Sequence, residues 1–567
     1  MKKKTGIDII IEKMIDKGYT QFFGYTGGTI MNFFHESSKN KKINFVMSRH
    51  EQGATFMAQG YARASGKIAP VFVTSGPGIM NTLTAIADAK MDSVPMLIFS
   101  GQVSQSVVGT DAFQETDVLG VMYPITKWAA MPENTKELNE YIEKAALIAN
   151  YGRKGPVAID LPKDVQTAEA KNIKNTKIKI PGLVKIPELK KNDKKIKEFK
   201  KLLEESKKPL IIIGHGAKLS QAQEEIKTFV EKLEIPFAET FHGISTLKSD
   251  HKLSLGMLGM HGEIPANNAT QEADLIIAFG MRFDDRVTAK LEKFAPKAKI
   301  VHFEIDFSEI EKNIKTAITF WGDLKQNLEV INSEFKNFKT DFAKEYFEKI
   351  DQWKKESEEN YQKIYAKKTK ALQMKTIIEN LSEFTKGKDN IVTDVGQHQM
   401  FAAKFYNFQR YNTWFSSGGL GTMGFGLPTS IGVKIARPDE EVWMIVGDGS
   451  FQMNIQELAV LKQENLKLNI LIFNNSYLGM VRQWQDLFFD EHHAATPISA
   501  PDFGKIAEAY DLGYQKITKE KDILEAFKKV KKSKKSQIIE FICDPEELVF
   551  PMVTGDRELS DMIKNNE

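Results

Sequence analysis

Short apolar runs that end in glycine or proline alternate with helix-like stretches along most of this 567-residue chain. Such alternation predicts parallel strands joined by helical crossovers, so that each sheet is covered on both faces. A chain of this length is also too long for a single core. We therefore predict an α/β protein built from three doubly wound domains with central parallel sheets. The runs that predict strands are QFFGYTG, KIAPVFVTSGPG, SVPMLIFSG, GPVAIDLP, PLIIIGHG, ADLIIAFG, KIVHFEID, NIVTDVG, EVWMIVGDGS and LNILIFNN.

Changes in composition divide the chain into five parts. The first domain covers residues 1–165, and a polar stretch with lysines and prolines marks a linker at 166–189. A second α/β unit covers 190–332. A charged connector at 333–371 carries apolar residues at helical spacing, which predicts a helix. The third unit, with a C-terminal tail, covers 372–567.

Composition excludes several classes of function. Lysine plus arginine number 78 and aspartate plus glutamate 75, so no overall field attracts nucleic acid or an anionic membrane. The single cysteine, Cys543, excludes an intramolecular disulfide and a thiolate metal cluster, and its apolar neighbours predict a buried, inert thiol. No stretch approaches the ~20 apolar residues of a membrane helix, and charged residues make the N-terminal segment an amphipathic helix. We expect a protein that binds neither nucleic acid nor membranes and that is cytoplasmic or mature after import, of which the first is the simpler interpretation.

The most specific motif places two polar residues after neighbouring apolar runs. Asp448 follows the run EVWMIVG, and Asn475 ends the run LNILIFN 27 residues later. The carboxyl ends of parallel strands share one edge of a sheet, which is where open α/β folds bind ligands. A helix predicted to begin near Phe451 would point its N-terminal amides at that edge, an arrangement that suits a phosphate.

Oxygen ligands at this edge suit a magnesium ion that also binds phosphate and water. Asp448 would supply a carboxylate, Asn475 an amide oxygen and Tyr477 a backbone carbonyl. Gly447 and Gly449 would let the backbone approach a diphosphate. An isolated GDGS is more simply a strand-to-helix turn with a capping residue. Because GDG is paired with NN at this distance, the motif instead resembles the diphosphate-binding signature of thiamine diphosphate enzymes.

That resemblance requires a carboxyl group elsewhere in the chain. The cofactor's aminopyrimidine can deprotonate the thiazolium carbon if a carboxyl group first protonates its far ring nitrogen. Glu51 opens a helix directly after the apolar run NFVM and is followed by small residues, so we predict that it has this role. Taken alone, Glu51 is more simply a first-turn helix glutamate.

Over nearly its whole length the chain resembles the catalytic large subunit of acetohydroxyacid synthase, also called acetolactate synthase, of the biosynthetic, FAD-containing type. The resemblance implies a pyrimidine-binding first domain, a flavin-binding central domain and a diphosphate-binding third domain. The segments that carry it are FGYTGG, RHEQGA, TSGPG, DAFQE, DLPKDV, GMHG, RFDDRV, SGGLGTMGFGLP, GDGSF, NNSYLGMVRQWQ and VFPMV.

The resemblance also assigns roles around the reacting carbon. It implies that Met423 props the cofactor in a bent conformation, with Ser450 and Met480 among its other contacts. Residues that line the approach, some from the neighbouring subunit of a dimer, would be Gly28, Thr29, Phe113, Gln114 and Lys163; a surface lysine is the simpler interpretation of the last. Acceptor choice would rest on Met260, Arg286 and Trp484. An arginine can bind a carboxylate bidentately, and a tryptophan packs better on ethyl than on methyl.

A structural FAD is the second cofactor that the resemblance implies. The segment GHG after PLIII permits close approach to a phosphate or ribose, although a lone GxG is weak evidence. Three positions depart from the family: Thr26 where proline is frequent, Tyr477 at a variable position, and His215 in place of a smaller residue. The implied flavin contacts are Arg153, Gly214, Gly216, Met260, His261, Arg282, Asp284, Arg286, Glu304, Ile305 and Asp323.

The implied function is acetolactate synthase activity in the biosynthesis of branched-chain amino acids. Pyruvate is decarboxylated on thiamine diphosphate, and the hydroxyethyl unit passes to a second pyruvate, giving 2-acetolactate, or to 2-oxobutyrate, giving 2-aceto-2-hydroxybutyrate. The implied assembly is a homodimer or homotetramer with a possible small regulatory subunit. A pyruvate oxidase or simple decarboxylase, and a non-catalytic assembly subunit, are the alternative hypotheses.

Overall fold

Three parallel sheets of six strands each, covered by helices, make up the protein. The computed structural model describes residues 3–170, 180, 182–366 and 369–565. All strand pairs within the three sheets are parallel, which confirms the predicted fold class. None of the described helices is both long and apolar enough to span a bilayer.

The first sheet has the strand order β2-β1-β3-β4-β6-β5. Its strands are β1 Gln21–Gly24, β2 Asn44–Met47, β3 Ala69–Val73, β4 Met96–Gln102, β5 Trp128–Ala130 and β6 Pro156–Pro162. Its helices are α1 Gly6–Asp16, α2 Met31–Ser37, α3 Glu51–Ser65, α4 Pro77–Met80, α5 Leu83–Met91, α6 Val118–Met122, α7 Thr135–Asn150 and α8 Lys163–Thr167. The order reverses between β1 and β3, so a crevice opens where these two strands end.

The central sheet has the order β12-β11-β10-β7-β8-β9 and reverses between β7 and β10. Its strands are β7 Pro209–Ile213, β8 Phe237–Glu239, β9 Ser254–Met257, β10 Leu275–Phe279, β11 Lys299–Glu304 and β12 Ile318–Trp321. Its helices are α9 Lys194–Glu205, α10 His215–Leu219, α11 Gln223–Leu233, α12 Ile264–Glu272, α13 Asp285–Thr288 and α14 Leu324–Glu334. Helix α15 Lys344–Tyr365 then connects to the third domain and buries Tyr346 and Ile350.

The third sheet has the order β14-β13-β15-β16-β18-β17 and reverses between β13 and β15. Its strands are β13 Asn390–Thr393, β14 Trp414–Phe415, β15 Val442–Gly447, β16 Asn469–Asn474, β17 Gly513–Ile517 and β18 Gln537–Ile542. Its helices are α16 Met374–Thr385, α17 Gln397–Phe405, α18 Gly426–Ala436, α19 Asp448–Phe451, α20 Leu458–Gln463, α21 Gly479–Phe488, α22 Phe503–Ala509 and α23 Ile523–Lys532. Short 3₁₀ segments span Gln105–Val107, Tyr123–Ile125, Leu291–Lys293, Phe307–Glu309, Gln452–Glu457 and Glu520–Asp522.

The first and third domains share one hydrophobic core, which forms where α3 packs against α18. Glycines allow these helices to approach unusually closely. A Cβ on Gly60 would lie 2.2 Å from the carbonyl oxygen of Thr429, and one on Gly432 would lie 1.9 Å from that of Met57. This close contact between α3 and α18 therefore fixes the orientation of the first sheet relative to the third sheet in the same chain.

Two sequence predictions differ from the structure, and one lies partly outside it. The helix predicted near Phe451 begins at Asp448, is four residues long and continues as a 3₁₀ segment. The edge strands β5, β9, β12, β14 and β17 and the interior strands β8 and β18 were not predicted. Residues 171–179 and 181 of the predicted linker lie outside the described residues. The lone cysteine is a buried free thiol, as predicted.

Candidate active site

Asp448 and Asn475 directly follow neighbouring strands. β15 and β16 pair in parallel with Gly447 opposite Phe473, so the two side chains emerge at the same sheet edge. Both side chains are buried, at 1% and 7% exposed. The strands reach this edge because every residue from 442 to 446 and from 469 to 474 is buried between helices on both faces.

The Asp448 carboxylate lacks a partner for one of its oxygens. Its Oδ2 is buried without a hydrogen bond, and burial raises the pKa of the group to about 6 despite nearby backbone N–H donors. An unpaired buried carboxylate oxygen is costly unless a cation joins it. The Asn475 Oδ1 accepts from the backbone N–H of Tyr477 at 3.1 Å, which draws residues 475–477 into a tight turn.

This donor set fits a hard cation that takes few ligands from the protein. Across the described ranges no group of three or more histidine, cysteine, aspartate or glutamate side chains is arranged to hold a metal. That pattern excludes a zinc-like cage there but suits Mg²⁺, which keeps several ligands for phosphate and water. Asp448, Asn475 and the carbonyl of Tyr477 would hold it.

Two residues that sequence reasoning missed, Gln397 and His398, line the same edge. They open α17 directly after β13, the strand next to β15. Gln397 Oε1 and His398 Nε2 are both buried without a partner, and burial lowers the pKa of His398 to about 3, so its ring is neutral. Their signal in the sequence is the segment VGQHQ, which ends a strand at the same edge as GDG.

Glycines occupy positions along this sheet edge at which any side chain would take up the open space. A Cβ on Gly447 would lie 3.2 Å from the His398 ring, and one on Gly449 would lie 2.9 Å from Ile498. A Cβ on Gly479, in the first turn of α21, would lie 2.1 Å from the Gln397 amide oxygen. The backbone is thus left open for a diphosphate group.

A cavity of about 980 Å³ runs from this edge to the end of the central sheet. Most of the residues predicted to bind a cofactor or the acceptor lie on its wall. Those are Arg153, Gly216, Met260, His261, Arg282, Asp284, Arg286, Glu304, Ile305, Asp323, Met423, Gly447, Asp448, Gly449, Ser450, Asn475, Tyr477, Met480 and Trp484.

Gly214 is not on the cavity wall. Its backbone N–H donates to Phe279 at 2.8 Å, and a Cβ there would lie 2.3 Å from the Gly280 carbonyl. It therefore serves close packing between the loops after β7 and β10. Gly216 lies on the wall, and its Cβ would lie 2.7 Å from the Gly280 Cα.

The central end of the cavity presents polar groups that fit a nucleotide-like ligand. The Glu304 carboxylate ends β11 and accepts from the backbone N–H groups of Ile305 and Asp306 at 2.8 and 2.9 Å; burial raises its pKa to about 7. His261 Nδ1 and Asp284 Oδ1 are buried without partners, and burial lowers the pKa of His261 to about 3. These unpaired groups need a ligand or water.

Met260 and Trp484 lie on the cavity wall and also contact the C-terminal tail. Both pack against a small cluster built from Leu548, Phe550 and Met552 of that tail. The backbone N–H of residue 553 donates to the Met260 carbonyl at 2.7 Å. Arg286 extends beside Met260, with 3.8 Å between Nη1 and Sδ, and its side chain is 65% exposed.

The remaining predicted residues lie at the end of the first sheet, away from the wall of this cavity. Glu51 is the first residue of α3, is 9% exposed, and accepts from the Asn81 amide at 3.0 Å. Gly28 and Lys163 are exposed, and Phe113 is 88% exposed. Gln114 adopts a left-handed conformation with φ of 63°. Within one chain the structure therefore does not bring this group to Asp448.

Comparisons with known proteins match all three domains. Models of the N-terminal, central and C-terminal domains of thiamine pyrophosphate enzymes match residues 4–121, 196–331 and 394–541. The acetolactate synthase large subunit of Buchnera aphidicola (subspecies Schizaphis graminum) is 41% identical over 97% of both chains. The large subunit of Haemophilus influenzae is 38% identical over 99% of this chain and 98% of its own. The chloroplastic acetolactate synthase of Arabidopsis thaliana is 39% identical over 100% of this chain and 85% of its own.

The chain belongs to the acetolactate synthase large-subunit family. This confirms the predicted family, and with it a thiamine diphosphate-dependent enzyme rather than a protein without catalytic function. It also agrees with the sheet edges described above, since the matched C-terminal domain contains Asp448, Asn475 and Gln397.

The tail that contacts Trp484 lies outside the matched domain models, which end at residue 541. The alignments with whole acetolactate synthases nevertheless cover 97% or more of this chain in the three relatives above. The alignment with the Arabidopsis thaliana enzyme, which covers 100% of this chain, includes both the tail and the helical connector.

Proposed function

We propose that this chain makes 2-acetolactate from two molecules of pyruvate, and 2-aceto-2-hydroxybutyrate when 2-oxobutyrate is the acceptor, as a transferase of branched-chain amino acid biosynthesis. The observation that carries the proposal is the single cavity that joins the unpaired Asp448 carboxylate to Arg286 and Trp484. A decarboxylase needs only the first part, whereas a carboligating enzyme needs a second place for an acceptor.

Magnesium and thiamine diphosphate would be held at the end of the third sheet. Asp448, Asn475 and the Tyr477 carbonyl would bind the metal, and the backbone at Gly447 and Gly449 would face the diphosphate. When bound, thiamine diphosphate supplies the electron sink that lets a 2-oxo acid lose carbon dioxide. The chain's residues bind and orient the reactants and exclude water.

The central end of the cavity would hold FAD in a structural role. The unpaired His261 and Asp284 atoms and the Glu304 carboxylate are polar groups of the kind that position a nucleotide. Arg153 reaches the cavity from the first domain, where it donates to Ser93 at 2.9 Å, and it pairs with Glu309 of the central domain at 2.8 Å. Purified protein should therefore be yellow.

The site would be completed by a second copy of the chain. Glu51, Gly28, Phe113, Gln114 and Lys163 sit at one sheet edge, and a homodimer can bring a partner's copy of that edge to the cavity. Large apolar side chains of the first and third domains are exposed, and burial by a partner would remove that surface from water. They are Met31 at 58%, Phe113 at 88%, Tyr123 at 59%, Val481 at 51% and Phe489 at 62% exposed.

Within that site, the role we propose for Glu51 is to hold and return a proton at the ring nitrogen of the cofactor. Gln114 would donate to the substrate oxygen that gains charge, and Lys163 would add a positive charge. Met423 would pack against the cofactor as an adaptable apolar wedge. Further partners would be a small regulatory subunit, as the relatives' naming as large subunits suggests, and a second dimer in a tetramer. We place the enzyme in the cytoplasm.

Trp484 is expected to set the preference for the larger acceptor. Replacing it with leucine removes an aromatic surface on which an ethyl group packs, and one methylene is worth about 10–200-fold in discrimination. We expect the ratio of 2-aceto-2-hydroxybutyrate to 2-acetolactate to fall by about 10-fold when both acceptors compete. Trp128→Leu, on the edge strand β5 and off the cavity wall, is the control and should leave the ratio unchanged. An unchanged ratio in the Trp484 variant would remove this residue from acceptor choice.

Product analysis tests the proposed reaction. Purified protein, given pyruvate, thiamine diphosphate and Mg²⁺, should form 2-acetolactate and show a flavin absorption spectrum. Acetaldehyde as the main product would indicate a simple decarboxylase, and acetyl phosphate formed with oxygen consumption would indicate a pyruvate oxidase. Either result would overturn the proposal.

A further inference from the structure

The glycine-rich segment 416–425 carries Met423 but has no regular secondary structure. It joins β14 to α18 and contains four glycines, two of which, Gly421 and Gly424, have positive φ. Six of its residues line the cavity: Ser417, Gly418, Gly419, Leu420, Gly421 and Met423. A segment this rich in glycine loses much conformational entropy when it is ordered, so other residues must hold it in place.

Two aspartates of the first domain hold the segment in place through hydrogen bonds. Asp88 lies on α5 and Asp92 ends it. Asp88 Oδ2 accepts from the hydroxyls of Ser417 and Thr422, the latter at 2.8 Å. Asp92 accepts from the backbone N–H groups of Gly418 at 3.2 Å and of Gly419 at 2.8 Å.

Arg63 and His242 lie against the buried Asp92 carboxylate, and Arg63 also lies near Asp88. The Arg63 guanidinium lies 2.8 Å from Asp92 and 3.7 Å from Asp88, and it also donates to the Ser416 carbonyl at 3.1 Å. His242 Nε2, from the central domain, lies 2.9 Å from Asp92. Burial favours the neutral carboxyl, yet His242 and Arg63 outweigh it and hold the pKa of Asp92 well below its usual range. Asp92 is therefore a charged acceptor, which makes its hydrogen bonds strong.

Two glycines of the segment lie so close to His242 and Asp92 that there is no room for a side chain. A Cβ on Gly418 would lie 2.3 Å from His242 Nε2, and one on Gly419 would lie 2.8 Å from Asp92 Oδ1. No larger residue fits at either position without displacing the His242 ring or the Asp92 carboxylate. The segment and the Asp88–Asp92–Arg63 group are thus complementary in shape as well as in hydrogen bonding.

We propose that Asp88, Asp92 and Arg63 are positioning residues that clamp segment 416–425 of their own chain, and so hold Met423 and the cavity wall in the form that binds thiamine diphosphate. The cofactor part rests on the proposed function. The first domain would then contribute to two sites. Its helix α5 would support the cofactor site of its own chain, and its Glu51 would act in the site of the partner chain. All of the clamp contacts are made within one chain.

Amide hydrogen exchange and cofactor binding test the clamp together. In Asp92→Asn, amides in peptides covering 417–424 should exchange at least about 10-fold faster, because the charged acceptor for two glycine N–H groups is lost. The Kd for thiamine diphosphate at fixed Mg²⁺, measured by calorimetry, should rise by about 10-fold. Thr422→Val removes one hydrogen bond to Asp88 without burying an unpaired charge. It should also speed amide exchange in 417–424 and raise the Kd, so it provides a second test if Asp92→Asn folds poorly.

Asp160→Asn is the matched control. Asp160 is a buried aspartate of the same domain that accepts from Ser100 and Gln102 and has no bond to the segment. It should leave exchange in 417–424 and the Kd unchanged. Unchanged exchange in both Asp92→Asn and Thr422→Val, or faster exchange with an unaltered Kd, would overturn the proposal. A wild-type protein that binds no thiamine diphosphate would overturn the proposed function, while exchange in 417–424 would still decide whether the segment is clamped.

Discussion

Asp448→Ala is expected to abolish Mg²⁺-dependent binding of thiamine diphosphate and, with it, all synthesis of 2-acetolactate. Asp448 carries the one carboxylate whose oxygen is left without a partner at the end of β15. Its removal takes away the only acidic ligand in the proposed set, and the remaining amide and carbonyl oxygens are neutral. We expect the cofactor Kd to rise by at least about 100-fold, which calorimetry at fixed Mg²⁺ would measure.

Asp439→Asn provides the control for that loss. Asp439 is exposed and precedes β15 at the opposite end of the same strand. Its variant should bind the cofactor as the wild type does. Normal cofactor binding by the Asp448 variant would show that the metal is held elsewhere. In that case Asn475 and Tyr477 would not be metal ligands either.

Glu51→Gln is expected to lower kcat by about 10³-fold, within the range that loss of a general acid–base group produces. Glutamine keeps the size of the side chain and can still accept from Asn81, so the start of α3 should be preserved. The amide cannot hold and return the proton that the cofactor ring requires. The cofactor Kd should change far less than kcat, and the measurement is therefore steady-state kinetics at saturating cofactor.

Glu133→Gln, an exposed glutamate of the same domain, should retain full activity. If the Glu51 variant kept a near-normal kcat, the proton-transfer role would be wrong even with the cofactor bound. If it lost cofactor binding as severely as Asp448→Ala, Glu51 would be a binding residue and not an acid–base group.

Most interior strands could be predicted from the sequence because they are buried on both faces, although β8, with three residues, and β18 were not predicted. β7, β10, β15 and β16 are almost uninterrupted apolar runs; β15 and β16 end in glycine or a polar residue, and glycine directly follows β7 and β10. The edge strands could not be predicted in the same way. β17, for example, is largely half-buried, and β14 has only two residues. Short strands with one solvated side lack the continuous apolar signal.

The same reasoning separates the site residues that could be predicted from the sequence from those that could not. Asp448 and Asn475 could be predicted because each directly follows a strong strand, and parallel strands bring their ends together. Gln397 and His398 follow a strand too, but they lack the glycine pattern that made GDG specific. The contacts of Asp92 with residues 418 and 419 join positions more than 300 apart in the sequence, and no local pattern encodes them.

The central claim is that each site combines the first domain of one chain with the central and third domains of another. Co-expression of the Glu51→Gln and Asp448→Ala chains, each inactive alone, tests it most directly. In a mixed dimer, one site would receive both substitutions and the other would receive neither, so random pairing should restore about a quarter of wild-type 2-acetolactate synthesis. If the two chains co-purify as mixed dimers and no activity returns, Glu51 and Asp448 do not meet across two subunits and the account is contradicted.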